Sequence, residues 1–596
     1  MIDKKYDFDE IPFKDLKEKV DLPTFQRNLV WKPSQKKSFI DTIKSGLPFG
    51  SIMLYKNMEK YSIVDGLQRF STLRDYEDNP WEYIEINEET FPRFNDATRI
   101  IISVYTDKTD VEVLAKLKEL IKEGLHKQKG HLSAAEINNI VFSVVEEFNK
   151  LKSNFEKYTE LQTVLSEMLD KINIEADIAD LKIPAVVFTG SFNLLPEIFE
   201  KLNSKGTKLS RYEIFASTWN SYMLNYNDIK ILKLVEDKYI NLEENTGIDV
   251  KGFEKGSIIE KKQINLYEYC FAISKIIKDA APSLIASSDS GESIGFTTLA
   301  AITGVNLNKL NDLPDKINIK VSAENLFKLA NVIEDSYKEV DKILSGYVRS
   351  PDGKKSFAKP AEAQLVSIVG TYFQIKYNLS TELKITSKSG TSTNINLFVK
   401  RMPYAFLYDT IRGYWAGTGD KKCTRELQKT LENNRYLSCS TSEAWEQALT
   451  EWMDSQINNS PVKAVSAETK LFTNFICRRF MPAGFESMYV FDIEHIVPRD
   501  KVEKLDNVPI SPAANVCLLP QFTNRSKKNL TIYERIDKDP MLKPDIDKIL
   551  SVLYPSRSDL EYIKSANEFT ENNYKKFLRN RRDILIKKMK ELVLKL

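Results

Sequence analysis

Two kinds of apolar spacing divide this chain, and the rarer one marks its ends. Residues 51–55 and 60–64 read as a hairpin, and residues 181–189 as a short apolar strand. Toward the other end, Tyr489, Phe491 and Ile493 alternate within residues 487–497. That spacing predicts a half-buried strand with Asp492 and Glu494 together on its opposite face. Pro498 ends it. Residues 515–519, Asn-Val-Cys-Leu-Leu, read as a second strand, stopped by Pro520.

Helical spacing fills most of the remainder. Pro33 opens a helix that passes through Phe39 and Ile43 and ends at Gly46. Residues 111–125, 134–168, 264–277 and 323–343 carry apolar side chains three and four apart. After the 181–189 strand, a helix with Ile198, Phe199 and Leu202 on one face breaks at Asn203-Ser204-Lys205-Gly206. Gly206 closes it, and Ser210 with Glu213 makes a capping box for the next helix. Thr523 or Asn524 caps a helix that opens with Arg525. Residues 243–257 and 287–292 are loops rich in Gly, Ser and charge. Pro351-Asp352-Gly353-Lys354-Lys355-Ser356 is a turn and not a phosphate loop, because no Gly stands five residues before Gly353 and no strand precedes it. In residues 412–420, glycines flank Tyr414 and Trp415, which predicts a tight loop packed on aromatics.

A chain of 596 residues is too long for one core. The pattern predicts a multidomain α/β and α protein. Residues 1–225 form an α/β part with a helical insertion near 105–180, residues 226–420 a helical middle, and residues 421–596 a part in which the acidic strand is embedded in helices.

The formal charge is +2, so the chain is no polycation and any nucleic-acid surface must be local. The last helix offers one: Lys575, Lys576, Arg579, Arg581, Arg582, Lys587, Lys588, Lys590 and Lys595 face only Asp583 and Glu591. The five cysteines have no close paired spacing, which excludes a zinc ribbon and argues for reduced thiols. No stretch is apolar for long enough to span a bilayer, and the first residues lack the apolar run of a secretion signal; a cytoplasmic protein without membrane contact is expected.

The chemistry is concentrated where the acidic strand ends. Asp492, Glu494 and His495 are followed by Asn515, then by Asn524 with Lys527 and Lys528 behind it. Hydrolysis of a phosphodiester needs a base to take a proton from water and a hard cation to neutralise charge on the phosphate oxygens. His495 suits the base. Mg²⁺ prefers oxygen ligands and keeps several waters, so one carboxylate and one amide suffice, and Glu494 and Asn524 meet that demand. Taken singly these residues are commonplace: a histidine beside an acid is usually a surface pair, and an asparagine before a helix is usually only a cap. Order and scarcity add weight, since the chain has three histidines and the other two, His126 and His131, lie in a polar, Lys-rich stretch.

The stretches DIEHIVP, NVCLLP and NRSKKN resemble the HNH, or ββα-metal, endonuclease motif, in the variant with Asn in place of a last His. The resemblance implies that Glu494 and Asn524 bind Mg²⁺ or Mn²⁺, with Asp492 as an additional ligand. It implies that His495 is the general base and that Asn515 holds the loop of the base through backbone hydrogen bonds. Many members carry Asp where this chain has Glu494. Lys527 and Lys528, with Lys576, Arg579 and Arg582 on the last helix, are the expected DNA contacts.

Near the other end, a strand runs into Asp65-Gly66-Leu67-Gln68-Arg69. A strand, a Gly turn and a helix start present backbone N–H groups to an anion, and Arg69 adds a bidentate phosphate contact. Upstream, Gln26 and Arg27 supply an amide and a guanidinium, and Trp31 a stacking face. PTFQRNLVW, VDGLQRFSTL and IFEKLNSKGTKLSRYEIF together resemble the N-terminal domain of GmrSD-type modification-dependent restriction enzymes. In that family an Asp-Gly-Gln-Gln-Arg motif sits on a ParB-like fold and is associated with nucleotide hydrolysis; here Leu67 stands at the third position. The resemblance implies an NTP held by Asp65, Gly66, Gln68, Arg69, Gln26 and Arg27, with Asn203 and Gly206 as further pocket residues.

The two resemblances together imply a nucleotide-regulated, metal-dependent endonuclease acting on double-stranded, modified phage DNA, with a homo-oligomer left open. Two rivals remain: a nucleotide-sensing DNA-binding protein that never cuts, and an NTPase whose C-terminal part is a scaffold.

Overall fold

The structure, a computed structural model of the chain, describes all residues except 1–4, 25, 27–28, 58, 192–193, 195–214, 217, 286–291, 351–355, 357, 459–462, 481–489, 522–528, 543–552 and 565–566. Two compact units emerge. The first comprises Met1–Asn220 and Glu236–Ser257, the second Ser221–Val235 and Ile258–Leu596.

The first unit is built on a mixed sheet of β1 (Tyr6–Pro12), β2 (Val20–Asp21), β3 (Ile52–Asn57), β4 (Lys60–Asp65) and β5 (Lys182–Phe188), in the order β1-β5-β3-β4-β2. β3 and β4 form the expected hairpin, β5 lies parallel to β3, and β1 and β2 close the edges, antiparallel to β5 and parallel to β4. Leu54, Ile63, Val64 and Ile183 are buried at its centre. Helices α1 (Phe13–Lys19), α2 (Pro33–Lys44) and α3 (Leu67–Asp78) bury Phe13, Phe39 and Phe70, with the Phe13 and Phe70 rings 5.7 Å apart.

Between α3 and β5 an insertion of α4 (Phe94–Ile102), α5 (Asp110–Leu125), α6 (Ala134–Glu147) and α7 (Phe155–Glu175) has its own core around Leu117, Ile121, Val144, Leu165 and Leu169. The continuous apolar spacing over residues 134–168 is here two helices packed on each other. Phe148 leaves the helical conformation, Asn149–Ser153 form a 3₁₀ turn, and the Asn154 side chain caps α7 by accepting from the Lys157 N–H at 3.2 Å.

The second unit is mainly helical, around Leu266–Ala280, Ala323–Val348, Glu362–Lys376, Ser392–Ile411, Ser442–Asn458, Ala467–Arg479 and Glu571–Val593. The helix expected from residue 264 starts at Leu266, because Asn265 and Glu268 form a capping box and Gln263–Asn265 pairs as a short strand with Met223–Asn225. Residues 412–420 do form a tight loop, with Gly413 and Gly417 at φ 58° and 74°. Arg435 stacks 3.9 Å from the Tyr414 ring and bridges buried Asp409 at 2.7 Å, which also accepts from the Trp415 indole at 2.8 Å. Among the described residues no helix is long and apolar enough to cross a membrane.

Candidate functional site

In the second unit, Phe491–His495 pairs antiparallel with Val516–Pro520, placing Glu494 opposite Cys517 and His495 opposite Val516. The second strand is buried throughout, whereas Asp492 to His495 are half-buried and form the rim. Strand alternation sets Asp492 and Glu494 on one face and Ile493 and His495 on the other.

Asn515 governs the turn that follows. Its fully buried side chain accepts from the Val497 N–H at 3.0 Å and donates to the carbonyls of Val497 at 3.2 Å and Ile510 at 2.9 Å. Its own carbonyl accepts from the Ile496 N–H at 2.8 Å. The neighbouring loop is anchored further by Tyr574, whose hydroxyl donates to the Pro509 carbonyl at 3.1 Å, and by Gln456, which accepts from the Ala513 N–H at 2.7 Å.

His495 Nε2 lies 2.8 Å from the hydroxyl of Ser511, which donates to the Lys463 carbonyl at 3.0 Å. Sequence reasoning missed Ser511. A lone serine in a loop has neither periodicity nor spacing to announce it, and only the fold brings it to the imidazole.

The buried side of the strand pair carries two thiols. Cys477, on Ala467–Arg479, and Cys517 are free cysteines with Sγ atoms 3.8 Å apart. The hydrogen bond from Cys477 pushes the Cys517 thiol down, aided by the Arg581 guanidinium, and Cys477 is pushed up. Arg581 is itself buried and donates to the Leu553 carbonyl.

Asn524, Lys527 and Lys528 lie outside the described residues. Among the described residues no three His, Cys, Asp or Glu side chains gather as a metal cluster. Asp492 and Glu494 supply hard carboxylate oxygens from one half-buried strand face, a donor type that fits Mg²⁺ or Mn²⁺, which keep several waters beside one or two carboxylates. On the last helix, Lys576 and Arg579 are exposed, and Lys576 borders a cavity of about 310 Å³ floored by Tyr562 and Phe577. Arg582 is held by Asp454 and Asp583, so its charge is already compensated within the chain. His126 and His131 pair with Glu82 and Asp177 at the surface of the first unit.

In the first unit the Asp-Gly turn forms as expected. Gly66 has φ 96° and precedes α3, and a Cβ there would meet the Ile52 Cα at 3.2 Å. The polar side chains around it are largely engaged in holding backbone. Gln26 is buried and donates to the carbonyls of Ile63 at 2.6 Å and Val64 at 3.0 Å. Gln68 accepts from the N–H groups of Val30 at 2.9 Å and Trp31 at 3.0 Å. Arg69 donates to the Ser51 carbonyl at 2.9 Å and to Asp65 at 3.1 Å, and its buried Nε has no partner among the described residues. The Trp31 ring lies edge-on to Phe39, 5.4 Å between centroids. Arg27, Asn203 and Gly206 lie outside the described residues.

Residues 10–219 match the family model of the GmrSD restriction endonuclease, N-terminal domain. The GmrSD match covers the sheet from Glu10 of β1 onward, its helical insertion and the Asp65–Arg69 turn, and stops well short of the His495 strand. No curated protein and no solved structure matches the chain.

Proposed function

We propose that this chain is a metal-dependent DNA endonuclease of the modification-dependent restriction type, regulated by a nucleotide and serving in defence against phage. The observation that carries the nuclease half is the Asn515 clamp, which fixes His495 at the end of a strand bearing two partly exposed carboxylates. The GmrSD N-terminal likeness of residues 10–219 supports the regulatory half.

In this reading Asp492 and Glu494, with the Asn524 amide, hold a divalent cation, which when bound supplies positive charge to the scissile phosphate. His495 takes the proton of the attacking water. Asn515 keeps the turn beyond His495 from relaxing. Lys576 and Arg579 contact the DNA backbone, a role for which Arg582, already salt-bridged, is less suited. At the other site the main-chain N–H groups of Leu67 and Arg69 receive the nucleotide phosphates, with Asp65, Arg69 and Arg27 around them.

The test is nicking of modified and unmodified phage DNA and of plasmid, with and without Mg²⁺, Mn²⁺ and each NTP, comparing wild type with His495→Ala and Asp65→Ala. Cutting that needs the metal, is lost in His495→Ala and loses its nucleotide response in Asp65→Ala is expected. Metal-independent DNA retention with no nicks under any condition makes the chain a DNA-binding sensor instead. NTP hydrolysis abolished by Arg69→Ala, with plasmid always intact, makes it an NTPase on a scaffold.

A further inference from the structure

A neutral imidazole carries one ring proton, and whichever nitrogen lacks it is the only one able to act as a base. The surroundings of His495 decide which. Ser511 is fully buried, and its hydroxyl has a single hydrogen. A main-chain carbonyl can only accept, so the 3.0 Å contact from Ser511 to the Lys463 carbonyl uses that hydrogen. The 2.8 Å contact between Ser511 Oγ and His495 Nε2 must then be an N–H donated by the ring. The reverse assignment would set the serine oxygen against a carbonyl oxygen 3.0 Å away with no hydrogen between them, two acceptors facing each other.

We propose that Ser511, backed by the Lys463 carbonyl, is a positioning residue that holds His495 in its Nε2–H tautomer and so sets the lone pair of the neutral ring on Nδ1. This rests on the nuclease reading above. The serine is well placed to impose a tautomer because its loop is pinned on both sides: Ile510 by Asn515, Pro509 by Tyr574 and Ala513 by Gln456. It touches no reacting atom. Its effect passes through the ring, in the way a carboxylate or carbonyl behind a catalytic histidine orients the imidazole and sets its tautomer.

The chain has three histidines, which makes the test direct. Metal-free protein labelled with ¹⁵N in histidine is examined by long-range ¹H–¹⁵N correlation at pH 8, where an ordinary imidazole is neutral. His495→Ala assigns the signal. An Nε2–H pattern is expected for His495 in wild type, a mixture in Ser511→Ala, and retention of the Nε2–H form in Ser511→Thr. In the nicking assay Ser511→Ala should lower kcat about 10–100-fold with KM for DNA changed less than about twofold, and Ser511→Thr should recover most of the loss. An Nδ1–H pattern in the wild-type protein overturns the proposal without recourse to any variant. So does an unchanged tautomer and rate in Ser511→Ala when His495→Ala is dead. Nicking that survives His495→Ala overturns the nuclease reading and the catalytic role with it, although the tautomer measurement still reports whether Ser511 sets the ring.

Discussion

At both ends of the chain a β-strand delivers a run of polar residues into a turn, yet the two turns spend their side chains in opposite ways. Around Gly66 the amides of Gln26 and Gln68 and the guanidinium of Arg69 hold neighbouring backbone in place. What such a turn offers a ligand is the main chain of a helix start, which suits phosphate oxygens of any nucleotide. Around His495 the main chain is held chiefly by Asn515, Ser511 lies behind the imidazole, and Asp492, Glu494 and His495 are half-buried at the rim. A turn built this way offers side chains, which suits chemistry at a single bond. Polar residue types alone do not distinguish a scaffold from a reagent; the direction of their hydrogen bonds does.

Substitutions at four positions sharpen that contrast or break it. The largest effect belongs to His495→Ala, expected to reduce nicking by about 10²–10⁴-fold while leaving the urea midpoint close to wild type. A large loss of stability instead would make the imidazole part of the scaffold. Asn515→Ala strips partners from one buried N–H and two buried carbonyls. About 3 kcal/mol of unfolding free energy should be lost, together with activity; a loss below about 1 kcal/mol would remove the clamp from the account. Gly66→Ala forces a side chain into a left-handed conformation and against Ile52, and about 2 kcal/mol should go, read as a lowered melting temperature of the first unit. The smallest effect is at Gln68. Ala there should cost about 1 kcal/mol, whereas Glu keeps an acceptor for Val30 and Trp31 and should retain the stability while weakening NTP binding by its charge. Equal NTP affinity in Gln68→Glu and wild type would place the nucleotide elsewhere.

Much of this arrangement was legible. Apolar patterning located β4, β5 and the strand at Val516–Pro520 to within a residue, and the one expected over residues 487–497 is shorter, Phe491–His495 among the described residues; the Asp-Gly turn announced the left-handed Gly66. β1 left no comparable signal: its Phe8 side chain is 74% exposed, so the strand is defined by its pairing with β5 and not by a buried face. The 134–168 run kept its periodicity through the 3₁₀ turn because both helices face one core; only the Asn154 cap betrays the break. Pro403 lies buried inside Ser392–Ile411, where its ring removes one main-chain hydrogen bond without ending the helix. Ser511 stayed invisible for the reason Asn515 did not. An asparagine falling between an acidic strand and an apolar one has a place in a pattern, and a loop serine acquires meaning only when the imidazole is beside it.

The Asn515 side chain has one more consequence. A carboxamide is a peptide group in miniature, so its reciprocal pairing with Val497 acts as an extra rung on the ladder, set where the main chain has already turned away. A two-stranded ribbon five residues long would otherwise fray first at that end. With the rung in place, the end nearest the imidazole is the better tethered one, and amide hydrogens there should exchange more slowly than so short a ribbon would lead one to expect.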